Sequence, residues 1–189
     1  MERDEEIKEE IEEAKEYPLS DGDIQRLLPV DTNIFTYPQL ENTTHIDEVF
    51  DPHGRAIMLF LTEDDTTGHW IALMRRGDTI EIYDPYGNAP SQWKKKLGGS
   101  MEDNRRWRQD RPLLEKKVKE AGYKLAWNKE QHQPVSKDIN TCGRHTAMRL
   151  LFADYSLPEY NAILKKIYKG TGIDPDTLAT ALTQETLGK

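Results

Sequence analysis

Residues 56–87 read AIMLFLTEDDTTGHWIALMRRGDTIEIYDPYG, and this stretch decides the fold. Ala56–Thr62 is a continuous apolar run suited to a strand covered on both faces. Asp64-Asp65-Thr66-Thr67-Gly68 supplies a turn, and His69–Met74 supplies the next strand. Arg76-Gly77-Asp78 turns the chain again into Thr79–Tyr83. Turns this short join antiparallel neighbours, so a meander is predicted. Asp84-Pro85-Tyr86-Gly87 ends it, because Pro85 has no N–H to give a ladder.

Outward from the meander the pattern turns helical. Pro90–Leu97 and Pro112–Ala121 read as helices, and Gly122–Asn128 as one further strand. Thr141–Tyr155 carries Ala147, Leu150, Leu151 and Ala153 at helical spacing. Pro158–Tyr168 and Asp174–Leu182 follow, each with Pro in its first turn. Upstream, Ser20 caps a short helix through Ile24, Leu27 and Leu28. Residues 1–16 form a charged helix whose stripe of Ile7, Ile11 and Ala14 is thin, so it is exposed, mobile or docked on a partner. The expected class is α+β, a small antiparallel or mixed central sheet flanked by helices. Residues 1–17 are read as a charged appendage and 18–189 as one domain.

Composition narrows the function. The 189 residues are 36% hydrophobic and 32% charged, with net charge −8 and one cysteine. That excludes collagen-like, disulfide-stapled and fully disordered chains. The longest apolar run, Ala56–Leu61, is far below the ~20 residues needed to span a bilayer. Nor does MERDEEIKEE read as a signal peptide, so an intracellular protein is expected. Residues 1–16 hold nine acidic and three basic side chains. Gln92–Lys124 reverses the sign, with eleven basic against five acidic. Such a patch holds an acidic partner or nucleic acid, or is a solvated helix face.

Cys142 has two readings. It is a small core residue, or it is a nucleophile served by a histidine elsewhere. The second gains from position. Cys142 falls at the start of a long helix, where free N–H groups and the dipole favour a thiolate. His69 opens one strand and Asp84 closes the next, at one edge of the sheet. A general base and its orienting carboxylate need that adjacency. Gly143 lets a substrate backbone approach, and a glutamine of Gln131-His132-Gln133 can donate to a developing oxyanion.

The run Gly68-His69-Trp70, Tyr83-Asp84-Pro85-Tyr86-Gly87, Gln133, then Asn140-Thr141-Cys142-Gly143-Arg144 resembles the Ulp1/adenain-like cysteine proteases. The Asn-Thr-Cys-Gly-Arg and Asp-Pro-Tyr-Gly runs look like its viral maturation branch, found in adenoviruses, large DNA viruses and virophages. The resemblance implies a papain-like core in the permuted order His, Asp, Gln, Cys. Cys142 would be the nucleophile, His69 the general base, Asp84 its orienter and Gln133 the oxyanion donor. Gln133 lies nine residues before Cys142, where the family usually has six or seven, so Gln131 stands as the alternative. Trp70 would wall the substrate channel or fill the core.

The implied activity is a monomeric endopeptidase that trims capsid or core precursors after small residues, at Gly-X sites, in the virion and the virus factory of the host cytoplasm. No metal or other cofactor is required. DNA is a candidate activator through Gln92–Lys124, against which the net charge of −8 argues. A disulfide-held activating peptide has no second cysteine here to pair with. Two further readings stand beside it, a SUMO or ubiquitin-like isopeptidase and a non-enzymatic acidic interaction module.

Overall fold

The computed structural model describes residues 2–29 and 31–188; Met1 and Lys189, which end the two expected ranges, and Val30 lie outside it. The fold is α+β, a five-stranded mixed sheet in the order β1-β2-β3-β4-β5 flanked by helices. β2 (Arg55–Asp64), β3 (Thr67–Arg76) and β4 (Thr79–Tyr83) form the predicted antiparallel meander. The edges are parallel additions, β1 (Asn33–Thr36) beside β2 and β5 (Lys124–Trp127) beside β4. β1 was not anticipated; Ile34, Phe35 and Thr36 favour strands, but a run of four residues is short and gains its ladder by pairing with β2.

Alternation along β2 explains its unbroken apolar run. Ile57, Leu59 and Leu61 join Trp70, Ala72, Met74 and Tyr83 in one core. Ala56, Met58 and Phe60 join Ile71, Leu73, Ile80 and Ile82 in another on the opposite face. The first core is closed by α2 (Asp21–Leu27), α6 (Cys142–Leu151), α7 (Leu157–Thr171) and α8 (Pro175–Leu187). The second takes in Trp93 of α3 (Trp93–Lys96) and Leu114 and Val118 of α5 (Leu113–Glu120). Between them α4 (Met101–Arg106) starts at Ser100, whose hydroxyl accepts from Asp103 N at 3.0 Å. Its composition, Met-Glu-Asp-Asn-Arg-Arg, shows no apolar periodicity, and it was not anticipated from sequence.

Helix α6 stops at Leu151, four residues short of the sequence expectation. Arg149 reaches across to the sheet and donates to both carboxylate oxygens of Glu81, at 3.1 and 3.0 Å. The same guanidinium donates to the Phe152 and Tyr155 carbonyls, which pulls the chain out of helix. The buried pair therefore locks the α6 axis against β4.

Helix α1 (Glu2–Glu16) is exposed over most of its length, but its last turn is packed. Ala14 is buried, and Lys15 Nζ donates to Thr177 of α8 at 3.0 Å. The Lys15 and Glu16 carbonyls accept from the Asn140 backbone N–H at 2.7 Å and from its side-chain amide at 2.9 Å. The charged segment is thus docked on its own chain, beside the residues that lead into Cys142. Among the described residues no helix is long and apolar enough to cross a membrane.

Candidate active site

His69 is fixed by strand register. It pairs opposite Phe60 near the end of the β2–β3 ladder, and Gly68 immediately before it pairs with Leu61. A Cβ on Gly68 would stand 2.0 Å from the Phe60 carbonyl oxygen, so only glycine allows this approach of the strands. Asp84 follows the last residue of β4 and is fully buried. The His69 Nε2–H donates to Asp84 Oδ1 at 2.7 Å, as the sheet-edge argument expected. A carboxylate acceptor fixes the proton on Nε2 and leaves Nδ1 for the sulfur.

Two further groups hold that carboxylate and a third holds the Asp84 backbone, and sequence reasoning missed all three. The Tyr86 N–H donates to Oδ1 at 2.8 Å, and the Trp93 indole N–H donates to Oδ2 at 3.2 Å. Asn128 fixes the backbone, accepting from Asp84 N at 2.9 Å and donating to Asp84 O at 2.6 Å. The Tyr86 ring also stacks on His69, with centroids 4.6 Å apart and planes 4° from parallel. Tyr86 sits inside the quoted Asp-Pro-Tyr-Gly run and could have been found there. Trp93 and Asn128 carry no local signal, because each reaches Asp84 through the tertiary fold.

Cys142 opens α6 and is partly exposed. The residue before it, Thr141, makes no side-chain cap. Its hydroxyl donates instead to Asp176 Oδ1 on α8, which also accepts from His145 Nε2 at 2.8 Å. Two bonds from one buried carboxylate therefore anchor the first turn of α6, and its N–H groups stay open to an anion.

Electrostatics makes His69 and Cys142 a pair. Burial opposes a charged imidazole, but Asp84 and then Cys142 outweigh it and push His69 up to about 10. Burial likewise opposes a thiolate. The charge and hydrogen bond of His69, followed by the backbone N–H groups of Trp70 and Gly143, hold the Cys142 thiol below its ordinary value. Each group thus favours the charged form of the other, a thiolate beside an imidazolium. Burial, then the charges of Cys142 and Asp84, push Tyr86 up to about 12 and keep it neutral.

Gln133 is 1% exposed and lines the same cleft as His69, Trp70 and Cys142. Its amide N–H₂ makes only long contacts, 3.5 Å to the Tyr86 hydroxyl and 3.4 Å to the Ile139 carbonyl, and its Oε1 has no partner among the described residues. Gln131 is exposed and spends its amide on the Gln133 carbonyl at 2.9 Å. Of the two glutamines only Gln133 reaches the cleft. The loop between Gln133 and Cys142 is long enough to let the backbone at Ile139 pass under that amide.

Trp70 lies in the core and also on the wall of the cleft, and donates its indole N–H to Leu19 O at 3.0 Å. Gly143 also serves packing, which was not read from the sequence. It is buried, and a Cβ there would meet Leu19 Cβ and Trp70 Cδ1 at 3.1 Å and Ile24 Cδ1 at 3.4 Å. Packing of α6 against Leu19, Trp70 of β3 and Ile24 of α2 favours a glycine here. Its contribution to the site is its own N–H toward the sulfur.

The cleft is about 830 Å³ and runs from Cys142 past β1 to the β2–β3 turn. Among the described residues no group of three His, Cys, Asp or Glu is placed to hold a metal ion. In the basic stretch, Arg106 pairs with Asp103, Arg108 with Glu41, Lys116 with Glu120 and Lys124 with Asp78. Four of the eleven basic side chains are thus paired within the chain, all at exposed positions.

No family model matches the chain. It is 29% identical over 175 residues to an uncharacterized protein, V9, of the Sputnik virophage, covering 92% of this chain and 98% of that one. Among solved structures it is similar to the central domain of the uncharacterized Lpg1148 protein from Legionella pneumophila. That match has a TM-score of 0.43 and 15% identity, covering 90% of this chain and 97% of that one.

Proposed function

We propose that this protein is a cysteine endopeptidase of the Ulp1/adenain-like type, acting on viral capsid or core precursor polypeptides during virion maturation. The observation that carries this reading is the connected chain of buried carboxylate, imidazole and thiol at one end of an open cleft. Its order along the polypeptide, His69, Asp84, Gln133, Cys142, is that of the permuted papain-like core. The likeness to a virophage protein over nearly the whole chain supports the viral setting.

On this reading each residue has a step to perform. The Cys142 thiolate attacks the scissile carbonyl carbon, and the carbonyl π electrons move onto oxygen. Gln133 Nε2 and the open N–H at the start of α6 receive that oxyanion; removing one such donor typically costs ~10²–10³ in rate. His69 gives its Nδ1 proton to the leaving nitrogen as the C–N bond breaks, which leaves a thioester. Water, deprotonated by His69, then attacks the thioester and releases the carboxylate product and the thiol. Asp84 stabilises the imidazolium in both half-reactions. Trp70, held by Leu19, is a rigid wall beside the sulfur and favours small residues at the cut.

The test is incubation of the purified protein with candidate capsid and core precursors, and separately with ubiquitin- and SUMO-derived C-terminal fluorogenic substrates, with cut sites read by mass spectrometry. Cleavage of precursors after small residues, absent in Cys142→Ala, is the expected result. Turnover confined to the ubiquitin-like substrates would move the assignment to an isopeptidase. No turnover of either class, with Cys142 no more reactive than a free thiol, would remove the enzymatic reading.

A further inference from the structure

The charged helix α1 is held by more than hydrophobic burial. Ile7 is 46% exposed, and the buried residues of the helix are Ala14 and Lys15. The last carbonyls of a helix have no partner inside it, and at this helix the catalytic region supplies one. Asn140 lines the cleft two residues before Cys142. It donates its backbone N–H to Lys15 O at 2.7 Å and its side-chain amide to Glu16 O at 2.9 Å. Lys15 Nζ ties the same turn to Thr177 of α8 at 3.0 Å. The chain then runs along the cleft as Pro18-Leu19-Ser20. There the Leu19 carbonyl accepts from the Trp70 indole at 3.0 Å, and the Leu19 side chain lies against Gly143, one residue after Cys142. Residues 15–19 therefore touch the chain on both sides of the nucleophile.

We infer that this segment is a strap that aims the oxyanion-binding N–H of Cys142, with Lys15 and Asn140 as positioning residues. The inference rests on the peptidase reading above. The Cys142 N–H lies in the peptide plane that joins Thr141 to Cys142, so its direction is set by the backbone of the residues just before it. Thr141 is held from α8, because its hydroxyl donates to Asp176. Asn140 is held from α1, by the two bonds to the end of that helix. The sulfur is held by other groups, His69 and the N–H groups of Trp70 and Gly143. Loosening α1 therefore moves the oxyanion donor and leaves the thiolate with its partners. The Asn140 amide bond lies near solvent and adds little stability. Its effect is geometric, since an oxyanion donor works only within about 2.7–3.1 Å of the developing charge.

The experiment is steady-state cleavage, by the full chain, of a peptide spanning a cut site mapped in the test above, beside iodoacetamide labelling of Cys142 at pH 6. Lys15→Met keeps the apolar stem and removes the tie to Thr177. Asn140→Leu keeps the volume and removes the donor to Glu16 O. Turnover number, kcat, should fall about three-fold in the first and about five-fold in the second, a part of the ~10²–10³ that a whole donor supplies, with KM within about two-fold. The double variant should lose less than the product of the two, since both changes open one strap. Labelling should stay within about two-fold of wild type, because alkylation draws on the thiolate and builds no oxyanion. Labelling that falls in step with kcat would give the segment a merely structural role and overturn the inference. So would unchanged kcat in either variant, or a loss confined to KM, and all three leave the peptidase intact. An absence of any cut by wild type, with Cys142 still labelled, overturns both.

Discussion

Two buried histidines in this chain meet opposite fates. His69 at the sheet end and His132 in the layer between β4 and α7 are almost equally hidden, at 6% and 7% exposure. His69 is pushed up to about 10 and His132 is driven down to about 4. Burial lowers both, and it is the largest influence on each. The difference lies in the partners. His69 faces the Asp84 carboxylate at 2.7 Å and the Cys142 sulfur. His132 accepts at Nδ1 from the neutral Tyr83 hydroxyl at 2.7 Å and lies 6.5 Å, ring to ring, from His145, whose charge also disfavours its own. Burial therefore does not decide whether a histidine is a working acid; the sign of what it is buried against does.

The largest expected effect breaks the His69 side of this comparison. His69→Ala should leave burial largely unopposed and push the thiol up, and iodoacetamide labelling of Cys142 at pH 6 should fall about 100-fold or more. The gap between variant and wild type should narrow as pH rises, because the variant's sulfur then ionises without help from His69. Equal rates at pH 6 would show that the imidazole does not hold the thiolate.

Next in size is Asp84→Asn. The amide oxygen can still accept from Nε2–H, but the charge that stabilises imidazolium is gone. Turnover at pH 7 should fall about 10- to 100-fold, and the basic limb of the activity profile should move down from about 10 toward the ordinary histidine value. Loss of rate with an unmoved basic limb would assign Asp84 to packing alone.

The His132 side predicts stability instead of activity. Its native value lies below the unfolded 6.5, so the unfolded chain binds more protons between those two values. Stability is thus present above pH 6.5 and is lost as pH falls toward 4. Urea unfolding should show about 2 kcal/mol lost between pH 7 and pH 5 through this group, and His132→Gln should flatten that slope. An unchanged slope in the variant would mean that His132 takes up its proton at the same pH in the folded and unfolded chain.

The smallest effect tests how far the environment of Asp84 matters. Trp93→Phe keeps the packing near Phe60 but removes one donor to Asp84 Oδ2. Stability should fall by about 1 kcal/mol and turnover at pH 7 by about three- to five-fold. No change in either would show that the 3.2 Å contact contributes nothing to holding the carboxylate.

Parts of the site differ in how they could be read from sequence. His69 and Asp84 were legible because they end neighbouring strands whose turns are short, and antiparallel pairing leaves them no choice but adjacency. Cys142 was legible as the residue that opens a helix. The choice between Gln133 and Gln131 was not, since a polar loop has no period and only its return under the cleft separates a buried amide from an exposed one. The packing role of Gly143 was hidden for a related reason. A glycine after a nucleophile suits close approach from either side, and only the packed positions of Leu19, Ile24 and Trp70 show which side is filled.

The same division holds for the molecule as a whole. Sequence determined the meander, the α+β class and the helices downstream of Cys142, because alternation, helical spacing and turn residues act over a few neighbours. Tertiary structure decided the pairing of β1 on β2, the parallel pairing of β5 with β4, the docking of α1 on α8, and the Trp93, Asn128 and Asp176 bonds that hold Asp84 and the start of α6. Those contacts join residues far apart in the chain. They form only once the sheet has brought both ends together, and no local pattern records them.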